Sequence, residues 1–378
     1  MRVLIVDAES TFALPVARCL GQYPSVNIFG LSSRPSTSVR FSRYMSRTII
    51  RPPAGDSDIA ARIYECGIHV RADVLLAADE WVVPILYQHR ERFASSFAVA
   101  PLPAGPTLAT VSSKATLASF LQQHGIAHPR SVVVAGQHDA LTPCAALPFP
   151  ALVKPARYRG GSGISLVQDF GLLTAHVAAQ SQDAFPLVVQ EYLRGDDYCC
   201  NLLCRDGEVL AYTIQKTWKR RDSEFSPGAL IEFVEHAGVL HTARQFAEAT
   251  RWSGVANIDL RVAEGQAVLL EVNPRFWGTL LGSLHAGVNF PYLTCLAGLG
   301  TSFPLPRYRH TTFVARNKTA LPLIARAARR HAGVQLSATA LSYGLRDPLP
   351  EIVRAGRSIA RFLSRLLPFP NPSSFSPR

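Results

Sequence analysis

Ala267–Thr279, AVLLEVNPRFWGT, reads as a buried strand that stops at Asn-Pro and Gly. Glu271 and Asn273 lie two residues apart in it, so on a strand both side chains leave the same face. Arg275 follows just past the end. Upstream, Ala256–Val262 (ANIDLRV) reads as a second strand that carries Asp259, with Gly265 in the connection. Paired strands would then present two carboxylates and an amide oxygen together. Hard oxygen donors of this kind suit Mg²⁺, which takes one or two carboxylates and completes its shell with water and phosphate. Alone, an E-x-N at a strand end is the mark of a solvated edge or a turn cap, and the remaining sequence must decide.

A chain of 378 residues is long enough for two or three domains, and 48% hydrophobic against 17% charged residues describes a globular protein. The seven cysteines (Cys19, Cys66, Cys144, Cys199, Cys200, Cys204 and Cys295) form no C-x-x-C pair, which argues against a disulfide framework or a zinc site. MRVLIVDAES at the N-terminus reads as a strand, not a signal peptide, and no run reaches the ~18 apolar residues of a spanning helix. These features predict a reducing, cytoplasmic compartment. The net charge is +12, but residues 307–378 hold twelve Arg and one Lys against Asp347 and Glu351, a surplus of eleven. The body is therefore close to neutral, which argues against nucleic acid as a partner.

Residues 1–105 alternate strands and helices: Val3–Val6, Phe12–Leu20, Val26–Leu31, Asp58–Cys66 and Val74–Ala77. The alternation predicts an α/β domain with a doubly wound parallel sheet. No G-x-G-x-x-G follows the first strand, which excludes the usual dinucleotide fingerprint. Asp79 and Glu80 fall at a strand's carboxyl end, where open sheets bind ligands, or else cap a helix. Pro101–Pro106 marks a boundary. Ser112-Ser113 caps a helix over Lys114–His124, with Lys114 in its first turn, where a cation is disfavoured unless it meets an anion.

Pro148–Pro155 (PFPALVKP) holds a strand ending at Lys154, and Gly160, Gly161, Ser162 and Gly163 then lie in a flexible hairpin whose amides can cover phosphate oxygens. Leu187–Tyr192 (LVVQEY) is a further strand, running into Leu193–Asp197, and its backbone can serve an adenine edge. Tyr198–Leu203 and Glu208–Gln215 flank Asp206-Gly207, a hairpin turn signal. Lys216–Arg221 (KTWKRR) reads as a basic loop, either solvated or clamping an anion. His241–Trp252 is helical.

In order and spacing, LVKP…GGSG, VQEYLRGDDY and NIDLRV…LLEVNPRFWGT resemble the ATP-grasp superfamily, in its carboxylate–amine ligase and carbamoyl-phosphate-synthase-like branch. The resemblance covers roughly residues 1–300. It implies a pre-ATP-grasp domain over 1–105 and a two-lobed ATP-grasp fold with antiparallel sheets over 106–300, the small lobe about 128–192 and the large about 193–300. Residues 301–378 would be a basic helical extension with a disordered end. It further implies that Lys114 and Lys154 contact ATP phosphates and that Gly160–Gly163 close over them. Gln190, Glu191 and Leu193 would frame the adenine, and Asp197 the ribose. Asp259, Glu271 and Asn273 would hold Mg²⁺, with Mn²⁺ as an alternative, although relatives often place Glu or Gln where Asp259 stands. Arg275 and Lys154 would act on the transferred phosphoryl.

The implied activity is that of an ATP-dependent ligase: a small-molecule carboxylate becomes an acyl-phosphate with release of ADP, and an amine displaces the phosphate. A non-amine acceptor, or an ATP-binding regulator without turnover, are the alternatives. The acceptor pocket would be lined by the Asp79 region, the KTWKRR segment, Trp277 and His285; a homodimer is compatible with all of this. The resemblance leaves the tail unexplained. Glu351–Leu367 (EIVRAGRSIARFLSRLL) reads as an amphipathic helix, with Ile352, Ile359, Phe362, Leu363 and Leu366 on one face and Arg354, Arg357, Arg361 and Arg365 on another. Packing of the apolar face on the body is the simpler expectation. Peripheral contact with the inner surface of a membrane is the other.

Overall fold

The computed structural model describes residues 1–51, 59–137, 139, 141–156, 163–220, 228–328 and 333–366. Strands β1 (Arg2–Ile5), β2 (Asn27–Ser32), β3 (Met45–Ile50), β4 (Val74–Leu76) and β5 (Ala98–Val99) form a parallel sheet in the order β3-β2-β1-β4-β5. Alternate residues of the central strands feed two separate cores. Val3, Ile5, Ile28 and Val74 pack under helix Ala13–Leu20, and Leu4, Phe29, Leu31 and Leu75 under Ile59–Val70. Burial of both faces is why these strands read as unbroken apolar runs. The predicted doubly wound sheet is observed. It has two strands more than the three read from sequence, β3 and β5, one at each edge.

The next four strands make a small antiparallel sheet: β6 (Ser131–Val134), β7 (Ala151–Pro155), β8 (Ser165–Val167) and β9 (Leu187–Glu191), in the order β6-β9-β7-β8. A larger antiparallel sheet follows, built from β10 (Asp196–Arg205), β11 (Glu208–Arg220), β12 (Gly228–Phe233), β13 (Gly254–Ala263), β14 (Gln266–Asn273) and β15 (Thr311–Val314) in the order β14-β13-β10-β11-β12-β15. Asp206 and Gly207 turn β10 into β11 with φ of 50° and 90°, as the Asp-Gly pair predicts.

One face of this larger sheet is apolar. Cys200, Leu202, Ile214, Ile258 and Val272 pack there beneath helices Lys114–Gln123 and Ala237–Thr250. At the sheet's other end Leu203, Ala211, Ile231 and Phe233 share a core with the 276–297 segment and with the N-terminal sheet. The large sheet and the N-terminal domain are thereby joined by one body of buried side chains.

Three expectations need correction. KTWKRR is not a loop: β11 runs on through Arg220, and Arg221 lies outside the described residues. Residues 301–378 are not simply a helical extension, because β15 pairs with β12 at the margin of the large sheet. The tail helix spans Leu349–Leu366, and Leu349, Ile352 and Ile359 on it are 57%, 61% and 60% exposed. These three side chains do not pack on the body. What holds the tail is a carboxylate just before the helix. Asp347, 1% exposed, takes the Arg18 guanidinium at 3.1 Å, the Ser42 hydroxyl at 2.8 Å and the Arg43 amide at 2.9 Å, while Glu351 reaches Arg18 at 3.1 Å. Among the described residues no helix is long and apolar enough to cross a membrane.

Candidate active site

The face of the large sheet opposite the helices is polar by strand alternation. Gln215, Cys199, Asp259 and Glu271 are register partners across β11, β10, β13 and β14. Two residues along, Thr213, Asn201, Asn257 and Asn273 form the next row. Register partners and residues two apart share a face, so Asp259, Glu271 and Asn273 come together as the sequence predicts. The inner part of these rows is buried and satisfied. Asn257 donates to Asn201 at 2.9 Å, Asn201 to Thr213 at 3.2 Å, and Thr279 to Gln215 at 2.9 Å. A buried polar set that is fully bonded holds its members in one arrangement.

Asp259 and Glu271 stand directly opposite one another. Burial first, and then the Glu271 charge, push the Asp259 carboxyl up to about 6, while the Cys199 thiol, donating at 3.0 Å, works the other way. A divalent cation would relieve that repulsion, and two carboxylates with an amide oxygen are the hard donors Mg²⁺ takes. The Asn273 oxygen accepts from Arg275 at 3.1 Å. Among the described residues no group of three His, Cys, Asp or Glu side chains gathers to hold a metal, so remaining positions would fall to phosphate and water.

Above the carboxylates sits a pair of lysines. Ser113 caps its helix by accepting from the Ala115 amide, and the Lys114 amide donates to Ala156 just past β7. This brings Lys114 beside the end of β7, and its ammonium lies 3.5 Å from Glu271. Lys154, on β7, is 9% exposed and donates to the Gln190 amide oxygen, whose nitrogen donates to Ser131 at 3.0 Å. Burial lowers the Lys154 pKa to about 8, against the pull of Glu271. Lys114, Lys154, Gln190, Leu117, Leu269 and His128 line one narrow cleft between the two antiparallel sheets, with about 10 Å³ free for water. His128 was not anticipated.

The connector from β9 to β10 is tied down by a residue that sequence reading missed. Arg261, 7% exposed, donates to the Leu193 carbonyl at 2.8 Å and to Asp197 at 2.9 and 2.7 Å. Arg220 bonds the other Asp197 oxygen. Asp197 is thus held between two guanidiniums and is not an open carboxylate. Glu191 uses its side chain on the Arg130 amide at 2.8 Å. The signal for Arg261 was present in ANIDLRV, where Asn257, Asp259 and Arg261 fall at every second position.

Arg275 bridges to the N-terminal domain. It lies 4.0 Å from Glu80 and 4.6 Å over the Phe12 ring. Asp79 caps the short turn that follows, accepting from the Glu80 amide at 2.8 Å, and also takes the Ser10 hydroxyl at 3.0 Å. Asp79 therefore serves as a cap at the carboxyl end of the sheet. Trp277 is buried, 2% exposed, and packs edge-on against Phe290 at 4.8 Å. His285 is partly buried beside Phe313. Lys216 is engaged by Asp196 at 2.6 Å, so this cation of the KTWKRR segment already has its anion. Gly160, Gly161 and Ser162 lie outside the described residues; Gly163 turns into β8 with φ of 72°.

Residues 183–320 match the family model described as ATP-grasp in the biosynthetic pathway with Ter operon. The arginine-specific large chain of carbamoyl phosphate synthase from Bacillus subtilis is 24% identical over 234 residues, 58% of this chain and 23% of that protein. The chain thus spans about a quarter of that relative's length. Among solved structures, biotin carboxylase from Campylobacter jejuni, in a βγ-ATP complex, superposes with a TM-score of 0.63 at 14% identity over 80% of this chain and 72% of that one. N5-carboxyaminoimidazole synthetase from Staphylococcus aureus, complexed with ADP, gives 0.64 at 12% identity over 89% and 90%. These likenesses establish the fold.

Proposed function

From its place in the ATP-grasp superfamily, we propose that the chain is an ATP-dependent ligase that activates a small-molecule carboxylate and joins it to an amine. The observation that carries this reading is a cleft lined by two lysines, one of them in contact with a paired carboxylate at its margin. Lys154 and Lys114 line the same cleft, the Lys114 ammonium lies 3.5 Å from Glu271, and Glu271 is the register partner of Asp259. Phosphoryl transfer asks a protein mainly for position and charge neutralisation, and this cleft has both signs of charge ready.

The carboxylate oxygen attacks the γ-phosphorus, the bond to the β-phosphate oxygen breaks, and ADP leaves. The amine then attacks the acyl carbon, phosphate departs, and the amine's proton passes to solvent. Lys154 and Lys114 neutralise the phosphates. Arg275, fixed by Asn273 and Phe276, offers its charge to the transferred phosphoryl. Asp259, Glu271 and Asn273 would hold Mg²⁺, which would supply charge neutralisation for the phosphates. Gln190, Glu191 and Leu193 frame the adenine, and a ribose reaches Asp197 through the one acceptor position that three guanidinium bonds leave of about four. This reading divides the chain into 1–105, 106–300 and the remainder, with β15 assigned to the large lobe.

The test is a screen of amino acids and other carboxylates for stimulated ADP formation, with product masses read out. Glu271→Gln and Lys154→Ala should each lower turnover by at least about a hundredfold while the protein stays folded, the scale seen when one transition-state charge is removed. Wild-type rates in either variant would contradict the assignment. Bound ATP with no carboxylate-dependent ADP would reassign the chain to nucleotide binding without turnover.

A further inference from the structure

We propose that helix Leu349–Leu366 is a docking surface for an anionic membrane, on which the protein rests through its exposed apolar stripe and basic flank. The proposal is independent of the ligase reading and stands on three observations.

The first is exposure. Leu349, Ile352 and Ile359, spaced by three and then seven residues, fall on one helix face and are 57–61% exposed. Phe362, Leu363 and Leu366 continue the same register in the sequence. Long apolar side chains scattered singly on a surface need no explanation, but three of them aligned on one helix face between Leu349 and Ile359 do.

The second is charge. Glu351 is the sole acid between Leu349 and Leu366, and it is already engaged by Arg18 at 3.1 Å and Arg354 at 3.7 Å. Arg354, Arg357, Arg361 and Arg365 follow at spacings of 3, 4 and 4 on the other side. A helix with one apolar and one arginine-rich face is complementary to acyl chains beneath phosphate headgroups, and the arginine stems can reach back to the phosphates. A second copy of the chain would bring like charge against like, which disfavours self-association through this face.

The third is anchoring. The helix is not a loose tail, because Asp347 and Glu351 bolt its start to Arg18 of the N-terminal domain. Docking through the helix would therefore fix the orientation of the folded body against the surface.

The test uses the full chain and sedimentation with vesicles of pure phosphatidylcholine or of phosphatidylcholine with phosphatidylglycerol. Binding is expected to the second only, and to weaken as salt rises. Ile352→Glu with Ile359→Glu should reduce it at least tenfold, and each of Arg354→Glu and Arg357→Glu by about fivefold or more, the scale of one cation near an anionic leaflet. The isoleucines are solvent-exposed, so an unchanged gel-filtration position and thermal midpoint would show that the variants fold. Equal binding to both vesicle types, no binding to either, or a dimer that the same substitutions dissociate would each overturn the proposal. None of these results depends on ATP turnover.

Discussion

Lys154 and Asp259 are both held away from their ordinary protonation, in directions that together set a pH window. Burial lowers the lysine to about 8, so its ammonium is fully charged only below that value. Burial and Glu271 raise the Asp259 carboxyl to about 6, so it is an anion only above that value. A site that needs a cation for phosphate and an anion for a divalent ion should work between the two. We expect kcat/KM for ATP to rise through about pH 6 and fall above about pH 8, reporting the free enzyme. A Lys154→Arg variant should lose the alkaline limb and keep the acidic one. A profile flat across both limbs would contradict the roles given to these residues. For stability the lysine's sign runs opposite to a gained ion pair. Its folded pKa lies below the unfolded one, so neutralising it as pH climbs from about 8 towards 10.5 favours the fold.

The connector between β9 and β10 shows how a whole element depends on one missing side chain. A Cβ built on Gly195 would lie 2.1 Å from the Val262 carbonyl oxygen, because the connector crosses β13 in contact with its backbone. Gly195→Ala should cost about 1–3 kcal/mol in chemical denaturation. It should also weaken nucleotide binding by displacing Leu193, which Arg261 holds from the same strand. An alanine variant of wild-type stability and affinity would show that the connector has slack. Sequence reading found the central strands easily, since residues 3–5 of β1, 28–31 of β2 and 74–76 of β4 are buried on both faces and carry no polar side chain. It missed β3, β5, β6 and β15, each at a sheet edge, where a half-exposed strand has little pattern to read, and also the interior strand β12. The carboxylate rows were legible because polar residues at every second position of an apolar strand place themselves on one face. Arg261 and Cys199 were visible in the same alternation. Their bonds were not, since partners on strands far apart in sequence become neighbours only through register.

At the scale of the molecule, the junction of the N-terminal domain and the tail centres on one buried carboxylate, with Glu351 beside it on Arg18. Asp347 answers Arg18, which is 4% exposed, along with the Ser42 hydroxyl and the Arg43 amide. Removing one partner of a buried pair strands the other, so Asp347→Ala should cost about 3–5 kcal/mol in urea unfolding. Truncation after Pro350 should cost less, because it leaves that carboxylate in place. Equal losses in the two proteins would mean that the helix, not the carboxylate, secures the junction. The edge strand β15 has a practical bearing on dissection of the chain. A fragment ended near residue 300, where composition alone suggests a cut, would strip Leu230–Phe233 of their outer neighbour and bare a row of amides and carbonyls. Such a rim recruits further chains, and the fragment would precipitate whatever its chemistry. An excision that retains Thr311–Val314 keeps that seam shut.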